Sequence, residues 1–386
     1  MATRPLARKT ALASAAKEKD VAEAEFLQMV VDRFTSLDEL ASIRTRWTEL
    51  YEADVEANLF LSWEWVSACA AQERQWLVLG ARENNSPYVA FLALRFDRFP
   101  WLGPAVSRRL LLGLSPRGDF TGVLGAAGAE GRFIPAFARA IEALEWDSFV
   151  LNNCADRRVA ALVSEFMPDR YRLVSGDATP CPYAELPATW EEYLSTRGSS
   201  SRRTIRSHLR KLESLPGYYL HFPASNEAEG AVETLLRVHS SRWKKDLRTW
   251  QDAFGGVLAR CYALGRFRVA VMYQGETVVA AQGFFIEPAR RTIIAYMIGH
   301  NPDYAKFSPG MMLGCASIRR AIEEGYRLYN FSLGDQAYKM SLATGVSYVT
   351  NATVWRRSFR AAAVNAGRRG FVAAKRLGRK LLRSRG

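Results

Sequence analysis

Paired cysteines are missing from this sequence. Its 386 residues include five cysteines, an odd number with no CxxC spacing: Cys69, Cys154, Cys181, Cys261 and Cys315. This scatter indicates neither a disulfide framework nor a zinc site, and it fits a reducing, cytoplasmic setting best. The four histidines show no HExxH pattern either. We therefore predict that the protein binds no metal.

Long hydrophobic runs and nucleotide fingerprints are also missing. No segment approaches the roughly 20 apolar residues of a membrane-spanning helix. Residues 1–25 are basic and alanine-rich without the apolar stretch of a signal peptide, and we interpret them as a disordered lead. The sequence contains no GxGxxG after a strand, no GxxxxGK[ST] and no GxSxG. These absences argue against nucleotide hydrolysis, dinucleotide redox chemistry and α/β-hydrolase chemistry.

Most of the chain has little excess charge of either sign. The net charge is +14, but from Gln336 onward there are twelve basic residues and no acidic ones. The preceding 335 residues therefore hold 41 basic and 39 acidic side chains, a net charge of +2. This distribution argues against nucleic acid as the partner of the main body, since nucleic-acid-binding domains concentrate positive charge on one face.

The basic tail, residues 358–386, has the pattern of an amphipathic helix. Wound as a helix over 364–385, it places its basic side chains on one arc: Arg368, Arg369, Lys375, Arg376, Arg379, Lys380 and Arg383. Its apolar side chains fall on the opposite arc: Val364, Phe371, Ala374, Leu377, Leu381 and Leu382. Such a helix suits an anionic membrane surface, as in a peripheral inner-membrane protein, or a partner protein. The alternative is a solvated, disordered tail.

Apolar spacing predicts an α/β (α+β) fold. Helical patterns come first, then two strands joined by an Asn-Asn-Ser-Pro turn, and then helices alternating with strands up to about residue 166. Residues 180–201, with three prolines in the first eight positions, mark the join between the halves. The second half repeats the layout. We therefore predict two tandem modules, 26–185 and 186–357, each a mixed, mostly antiparallel sheet flanked by helices.

One segment, 292–339, combines structural and chemical signals. A strand is followed by Ser308-Pro309-Gly310, a helix over 311–324, a second strand, and the sequence GDQAYK. Backbone N–H groups at a helix start, together with the helix dipole, favour an anion such as phosphate. Asp335, Tyr338 and Lys339 follow the second strand and are the candidate catalytic residues. Asp335 also has a structural interpretation as a turn residue, and Tyr338 as a packed aromatic.

Two further groups are candidates for substrate binding. The segment 197–211 has six basic residues before its first acid, and Arg206 lies on their common helical arc. This face would bind phosphates, anionic lipid or polysaccharide, or it is simply the solvated side of an amphipathic helix. His239, Arg242 and Trp243 lie at helical spacing. His239 is either a general base or a hydrogen-bonded structural histidine, with Trp243 packed in the core.

The segment GHNPDYAKFSPGMMLGCASIRRAIEEGYRLYNFSLGDQAYKMSLA resembles the acyl-CoA-binding half of the GNAT acyltransferase superfamily. More narrowly, it resembles the two-domain CelD/BcsL-like branch, associated with cellulose biosynthesis and related to the FemAB-type peptidoglycan transferases. Other pieces similar to this branch include LLLGLSPRGDF and ELPATWEEYLSTRGSSSRRTIRSHLRKLE, so that the resemblance covers roughly 35–357.

The resemblance implies two GNAT-like modules, with acetyl-CoA or another acyl-CoA lying between the strand that ends at 297–299 and the strand that ends at 331–332. It implies these donor-binding residues: Met297, Ile298, Gly299, Ser308, Pro309, Gly310, Met311 and Met312. It also implies a substrate role for Gln282. The general GNAT loop reads Q/R-x-x-G-x-G/A, of which only Gly310 is present here. Asn330 and Gln336 stand where the branch commonly has acids.

The predicted function is an acyl-CoA-dependent N- or O-acyltransferase, acetyl transfer being the first expectation. The acceptor implied by the resemblance is a sugar, glycan precursor or other exopolysaccharide-related molecule. Two alternatives stay open: a non-catalytic scaffold that docks on a membrane polysaccharide synthase, and a FemAB-like transferase that uses aminoacyl-tRNA.

Overall fold

The computed structural model describes residues 29–100, 106–115, 117–243, 246–358, 361–362 and 366. The predicted lead (1–25) and, apart from residue 366, the predicted tail helix (364–385) lie outside the described residues.

The described chain alternates between helices and strands. The strands are β1 Met29–Phe34, β2 Trp76–Glu83, β3 Ala90–Pro100, β4 Val106–Leu112, β5 Leu124–Gly125, β6 Ser148–Cys154, β7 Tyr171–Ser175, β8 Thr179–Glu185, β9 Tyr218–His221, β10 Phe267–Gln274, β11 Thr277–Glu287, β12 Thr292–His300, β13 Leu328–Asn330 and β14 Gly345–Arg356. The α-helices are α1 Leu37–Ser42, α2 Arg44–Ala53, α3 Trp63–Ala70, α4 Glu130–Glu142, α5 Arg157–Ser164, α6 Trp190–Ser195, α7 Ser199–Ser214, α8 Ala228–Trp243, α9 Leu247–Trp250, α10 Gly256–Ala263, α11 Pro309–Glu323 and α12 Ala337–Leu342.

Local sequence signals explain where several helices begin and end. The predicted N-cap Ser62 accepts a hydrogen bond from the Trp65 N–H and starts α3. Thr189 forms a capping box with Glu192 at the start of α6. Gly325, predicted to end α11, has a φ of +79°, a conformation that glycine adopts without steric cost.

One large sheet carries the fold. Its strand order is β1-β2-β3-β4-β6-β14-β8-β13-β12-β11-β10-β9, and β14 pairs with strands from both halves of the chain. Most pairs are antiparallel, but β4 with β6 and β12 with β13 are parallel over three residue pairs each. The prediction of a mixed, mostly antiparallel sheet flanked by helices is confirmed.

A shared core joins the two halves. Phe60 and Trp65 from the N-terminal half pack edge-on against Phe285 from the C-terminal half, with ring centroids 5.5 and 5.3 Å apart. The Tyr51 hydroxyl group donates a hydrogen bond to Glu287 across the same boundary, at 2.6 Å. Because these side chains are buried, separating the halves would expose apolar surface to water.

The proline-rich segment at the predicted join folds as strand β8. It lies between β14 and β13, inside the C-terminal part of the sheet. Proline lacks an N–H, which argues against a central strand, but the carbonyl groups of Pro180 and Pro182 accept bonds from Gly334 and Phe331. The sequence patterns predicted no strand at residues 179–185, and the structure has one there. The module boundary at 185/186 stays a prediction.

Candidate functional site

The parallel strands β12 and β13 diverge after a short contact. Their pairing joins Thr292–Ile294 to Leu328–Asn330, and in the described residues no ladder continues beyond it. On its other side, β12 carries a bulge, because Met297 lies opposite Gly283 while Ala295 lies opposite Phe284. The extra residue bends the strand. We call the place where the two strands stop pairing, between 295–299 and the chain after Asn330, the strand opening.

The start of α11 lies beside this opening. A Cβ atom added to Gly310 would be 3.6 Å from the Ile298 Cδ1 atom, so the predicted SPG turn and the predicted strand end are in contact. Ser308 has a left-handed backbone, with φ of +55°, and its carbonyl group accepts bonds from the N–H groups of Met311 and Met312. In the first turn of the helix, the Gly310 N–H group is therefore the one not bonded to the Ser308 carbonyl group. The start of α11 thus offers an anion fewer unbonded N–H groups than the sequence analysis predicted.

The methionines of this region are core residues. Met312 is fully buried and Met297 nearly so, while Met311 is partly buried. The prediction that Met297 and Met312 contact the donor is therefore limited to their backbone atoms. Their side chains pack in two apolar clusters on opposite sides of the sheet.

Gly299 is the point where β12 touches helix α8. A Cβ atom at Gly299 would lie 2.4 Å from the His239 nitrogen and 2.5 Å from the Val238 carbonyl carbon. One residue earlier, the Ile298 carbonyl oxygen is 2.9 Å from His239 Nδ1. Because a carbonyl oxygen only accepts, Nδ1 of His239 carries the proton. His239 is thus anchored to the strand that borders the opening.

Gln282 is buried on the neighbouring strand, directly opposite Ile298. Its Nε2 group donates to the Tyr329 hydroxyl group at 3.2 Å, and its buried Oε1 atom has no hydrogen-bond partner. Burial raises the pKa of Tyr329 well above its ordinary value, and the nearby Tyr338 adds to this effect. An unpaired buried acceptor is costly, so this oxygen is suited to a ligand N–H group.

The other predicted substrate-binding residues lie on helices α7 and α8. Arg206 is exposed on α7 and pairs with Glu191 at 3.1 Å. Arg242 and Trp243 lie in α8, and their side chains are outside the described part of the structure.

The three predicted catalytic residues occupy different environments. Asp335 is exposed and Tyr338 half-buried, just before and within the first turn of α12. Lys339 is buried, and its Nζ group donates to the Leu333 carbonyl group at 2.6 Å. Burial lowers the pKa of Lys339 to about 8, against the opposing effects of nearby negative groups including Asp335. A lysine of this kind loses its proton more readily than an exposed one.

A buried acid that sequence patterns did not identify completes this region. Asp119, in the loop between β4 and β5, accepts a hydrogen bond from the Ser332 hydroxyl group just after β13. Burial raises the pKa of Asp119 to about 6, while Ser332 and Lys339 act in the opposite direction. In the same loop, the Arg117 carbonyl group accepts a bond from the Tyr296 hydroxyl group at 2.9 Å. The N-terminal half therefore supplies one wall of the strand opening.

Comparison with known proteins identifies the type of domain. Residues 199–340 match the model of the acetyltransferase (GNAT) domain family. No curated protein matches the chain. A crystal structure of FemX is similar, with a TM-score of 0.54, 9% identity, and coverage of 84% of this chain and 97% of that chain.

Two other solved structures are similar at the same level. One is the C-terminal DUF2156 domain of an Agrobacterium fabrum protein named as a lysylphosphatidylglycerol synthetase, with a TM-score of 0.51, 13% identity, and coverage of 85% of this chain and 96% of that chain. The other is L-PGS from Bacillus licheniformis, with a TM-score of 0.51, 13% identity, and coverage of 86% and 96%. At such identities the likeness concerns the fold. The family match places a domain of the GNAT acetyltransferase type at residues 199–340.

The described residues lack two features. No group of three or more His, Cys, Asp and Glu side chains is arranged to hold a metal ion. No helix there combines the length and apolar character needed to cross a membrane.

Proposed function

We propose that the protein is an acyl-CoA-dependent N- or O-acyltransferase, with acetyl-CoA as the first donor to test. The observation that carries this proposal is the strand opening between β12 and β13, with the start of α11 packed against Ile298. An acyl donor with a phosphate-bearing part and an amide-bearing arm fits this arrangement. Gly310 offers an N–H group to the phosphate, and the buried Gln282 Oε1 atom can accept a hydrogen bond from the amide N–H.

In the proposed reaction, an amine or hydroxyl group attacks the thioester carbonyl carbon. A new C–N or C–O bond forms, the C–S bond breaks, and the proton of the attacking group must be removed. Backbone N–H groups of 297–299 on the side facing the opening would polarise the carbonyl group. Asp335 is the first proposed proton acceptor, and Tyr338 would protonate the departing thiolate. Lys339 would hold a phosphate or the acceptor.

For the acceptor we propose a sugar or glycan precursor of the cell envelope. This rests on the resemblance to the CelD/BcsL-like branch and on the basic tail, residues 358–386, which would bring the enzyme to an anionic membrane surface. Flotation with vesicles of phosphatidylglycerol and phosphatidylcholine tests the second point. Equal recovery of the full chain and a chain ending at 357 would contradict it.

The donor is tested by calorimetric titration of the protein with acetyl-CoA. We expect saturable binding that is lost in Gly310→Glu, because the added carboxylate would occupy the helix start and repel phosphate. Gly310→Ala is the matched control and should bind normally, since its Cβ atom meets only an ordinary contact. Absence of binding by the unmodified chain would refute an acyl-CoA donor.

One observation favours a second candidate function, an aminoacyl-tRNA-dependent transferase. Helix α7 exposes a row of basic side chains: Arg203, Arg206, Arg210 and Lys211. If these contact RNA phosphates, tRNA binding should weaken steeply with salt, by a log–log slope of just under one for each contact. Charge reversal of Arg203 and Arg210 should lower that slope by about two. Unchanged binding in this variant would remove the candidate.

A further inference from the structure

We propose that Asp119 of the N-terminal half is a positioning residue for acyl transfer in the C-terminal half, where it receives the proton of the attacking group through the Ser332 hydroxyl group. This inference rests on the proposed function. It replaces Asp335 with a relay: the attacking amine or hydroxyl passes its proton to Ser332 Oγ, and the Ser332 hydroxyl proton moves to Asp119 Oδ2. The carbonyl carbon gains the new bond and the thiolate leaves.

The geometry begins with the bond from Ser332 to Asp119. The two residues are 213 positions apart, and both are at least nine-tenths buried. Ser332 is the second residue after β13, at the edge of the strand opening, whereas Asp335 is exposed. A proton acceptor for a reaction in the opening is therefore better placed at the Asp119–Ser332 pair than at Asp335.

The backbone of Ser332 is held in an unusual conformation. Its φ is +62°, which a residue other than glycine rarely adopts. The Asn330 side chain fixes this turn, because its Oδ1 atom accepts a bond from the Ser332 N–H at 2.7 Å. A serine kept in a conformation that glycine would adopt more easily suggests that its hydroxyl group is needed.

The charged and titratable surroundings of Asp119 suit proton uptake. The groups that act on it or respond to it are Lys339 on α12, Cys181 on β8 and Tyr296 on β12. Burial raises the pKa of the Asp119 carboxyl group to about 6, and the Lys339 ammonium group opposes that rise. A base whose pKa lies near the working pH both accepts and releases protons efficiently.

A purely structural role, in which the pair only fastens the halves together, predicts different behaviour. Asp119→Asn keeps the size and an acceptor oxygen for the Ser332 hydroxyl group, but it cannot take up a proton. Ser332→Gly keeps the left-handed backbone and removes the hydroxyl group. A fastening role would leave the turnover of the first variant, Asp119→Asn, nearly unchanged, and loss of the contact would appear in the melting temperature. A relay would instead appear in turnover and in its pH dependence.

The matched control is Asp156→Asn. Asp156 is a partly buried acid of the N-terminal half; its carboxylate caps α5 by accepting a bond from the Arg158 N–H group, and it also accepts one from the Val123 N–H group. Burial raises its pKa too. It does not contact Ser332, so its variant should keep the normal turnover and pH profile.

The experiment measures thiol release from acetyl-CoA between about pH 5 and about pH 9, with glucosamine as probe acceptor and with water alone. We expect turnover of the unmodified chain to rise through an inflection near pH 6, in line with the pKa of Asp119. In Asp119→Asn and Ser332→Gly, kcat should fall at least about 100-fold and the inflection should vanish, with calorimetric affinity for acetyl-CoA unchanged.

The possible failures are distinguishable. If acetyl-CoA does not bind, the proposed function fails and this inference with it. If it binds and turns over, but Asp119→Asn keeps the kcat and pH profile of the unmodified chain, the inference alone is overturned. Binding without thiol release to either glucosamine or water also counts against it, because an active relay in the opening should activate one of them.

Discussion

The contact between Gly299 and helix α8 allows a sharp prediction about the candidate site. In Gly299→Ala, the new methyl group would lie 2.4 Å from the His239 nitrogen and 2.5 Å from both the His239 Cα atom and the Val238 carbonyl carbon. Carbon atoms in contact normally stay about 3.5–4.0 Å apart. All three obstructing atoms belong to the helix backbone, so no side-chain rotation relieves the clash. Strand and helix must therefore separate by roughly 1 Å.

This separation has two costs. Overpacking of a core costs about 1–3 kcal/mol and occasionally more, and we take the upper end because only backbone is available to move. The bond between His239 Nδ1 and the Ile298 oxygen, 2.9 Å long, would be stretched and would lose about 1 kcal/mol. At about 2–4 °C per kcal/mol for a domain of 150–250 residues, the melting temperature should fall by about 10 °C.

Scanning calorimetry and urea unfolding measure this loss, and Gly310→Ala provides the control. Its methyl group would be 3.6 Å from Ile298 Cδ1, an ordinary contact, and alanine is favoured over glycine in a helix by up to about 1 kcal/mol. We expect Gly310→Ala to unfold at or slightly above the unmodified midpoint. A Gly299→Ala variant that melts within about 2 °C of the unmodified chain would refute the close packing of β12 on α8.

Three further outcomes follow from buried charges. Arg158→Met should lower the free energy of unfolding in urea by about 3–5 kcal/mol, because Arg158 and Asp54 form a 2.5 Å ion pair with only 2% and 1% of their side chains exposed. The control is Arg157→Met, which should lower it by under about 1 kcal/mol because 70% of the Arg157 side chain is exposed. Because the pKa of Asp119 is raised to about 6, the folded chain holds one more proton than the unfolded chain between about pH 4 and about pH 6. Over this range, rising pH should lower the free energy of unfolding of the unmodified chain by on the order of 2–3 kcal/mol relative to Asp119→Asn. Because the pKa of Lys339 is lowered to about 8, the unfolded chain holds one more proton than the folded chain between about pH 8 and about pH 10. Over this range, rising pH should raise the free energy of unfolding of the unmodified chain by on the order of 3 kcal/mol relative to Lys339→Met. A flat difference in unfolding midpoints across either pH range would contradict the corresponding shift.

Sequence patterns were sufficient for elements whose signals are local. The Ser62 cap, the hairpin of β2 and β3, the α11 helix and its Gly325 end all appear in the structure at or within a few residues of their predicted positions. Each depends on residues three or four positions apart, or on alternation within one strand. Local patterns also predicted that Lys339 follows the strand now seen as β13.

Strand β8 was missed because its signal is overridden by its neighbours. Prolines in a strand remove ladder donors, and sequence patterns alone therefore indicate a break. Within the sheet, the carbonyl groups of Pro180 and Pro182 still accept from the chain after β13. Tertiary pairing thus makes a strand of a segment whose own composition predicts a linker.

The Asp119–Ser332 contact shows why a site of this kind escapes local patterns. Asp119 follows Arg117-Gly118 in a loop, a context in which an acid usually serves a turn. Its position at the strand opening depends on the sheet order, because β14 joins β6 of the first half to β8 of the second and brings the β4–β5 loop against the end of β13. If the proposed relay operates, the C-terminal half contains the donor site but not the proton acceptor. The continuous sheet is then part of the catalytic arrangement, since it fixes the distance between groups that lie 213 residues apart.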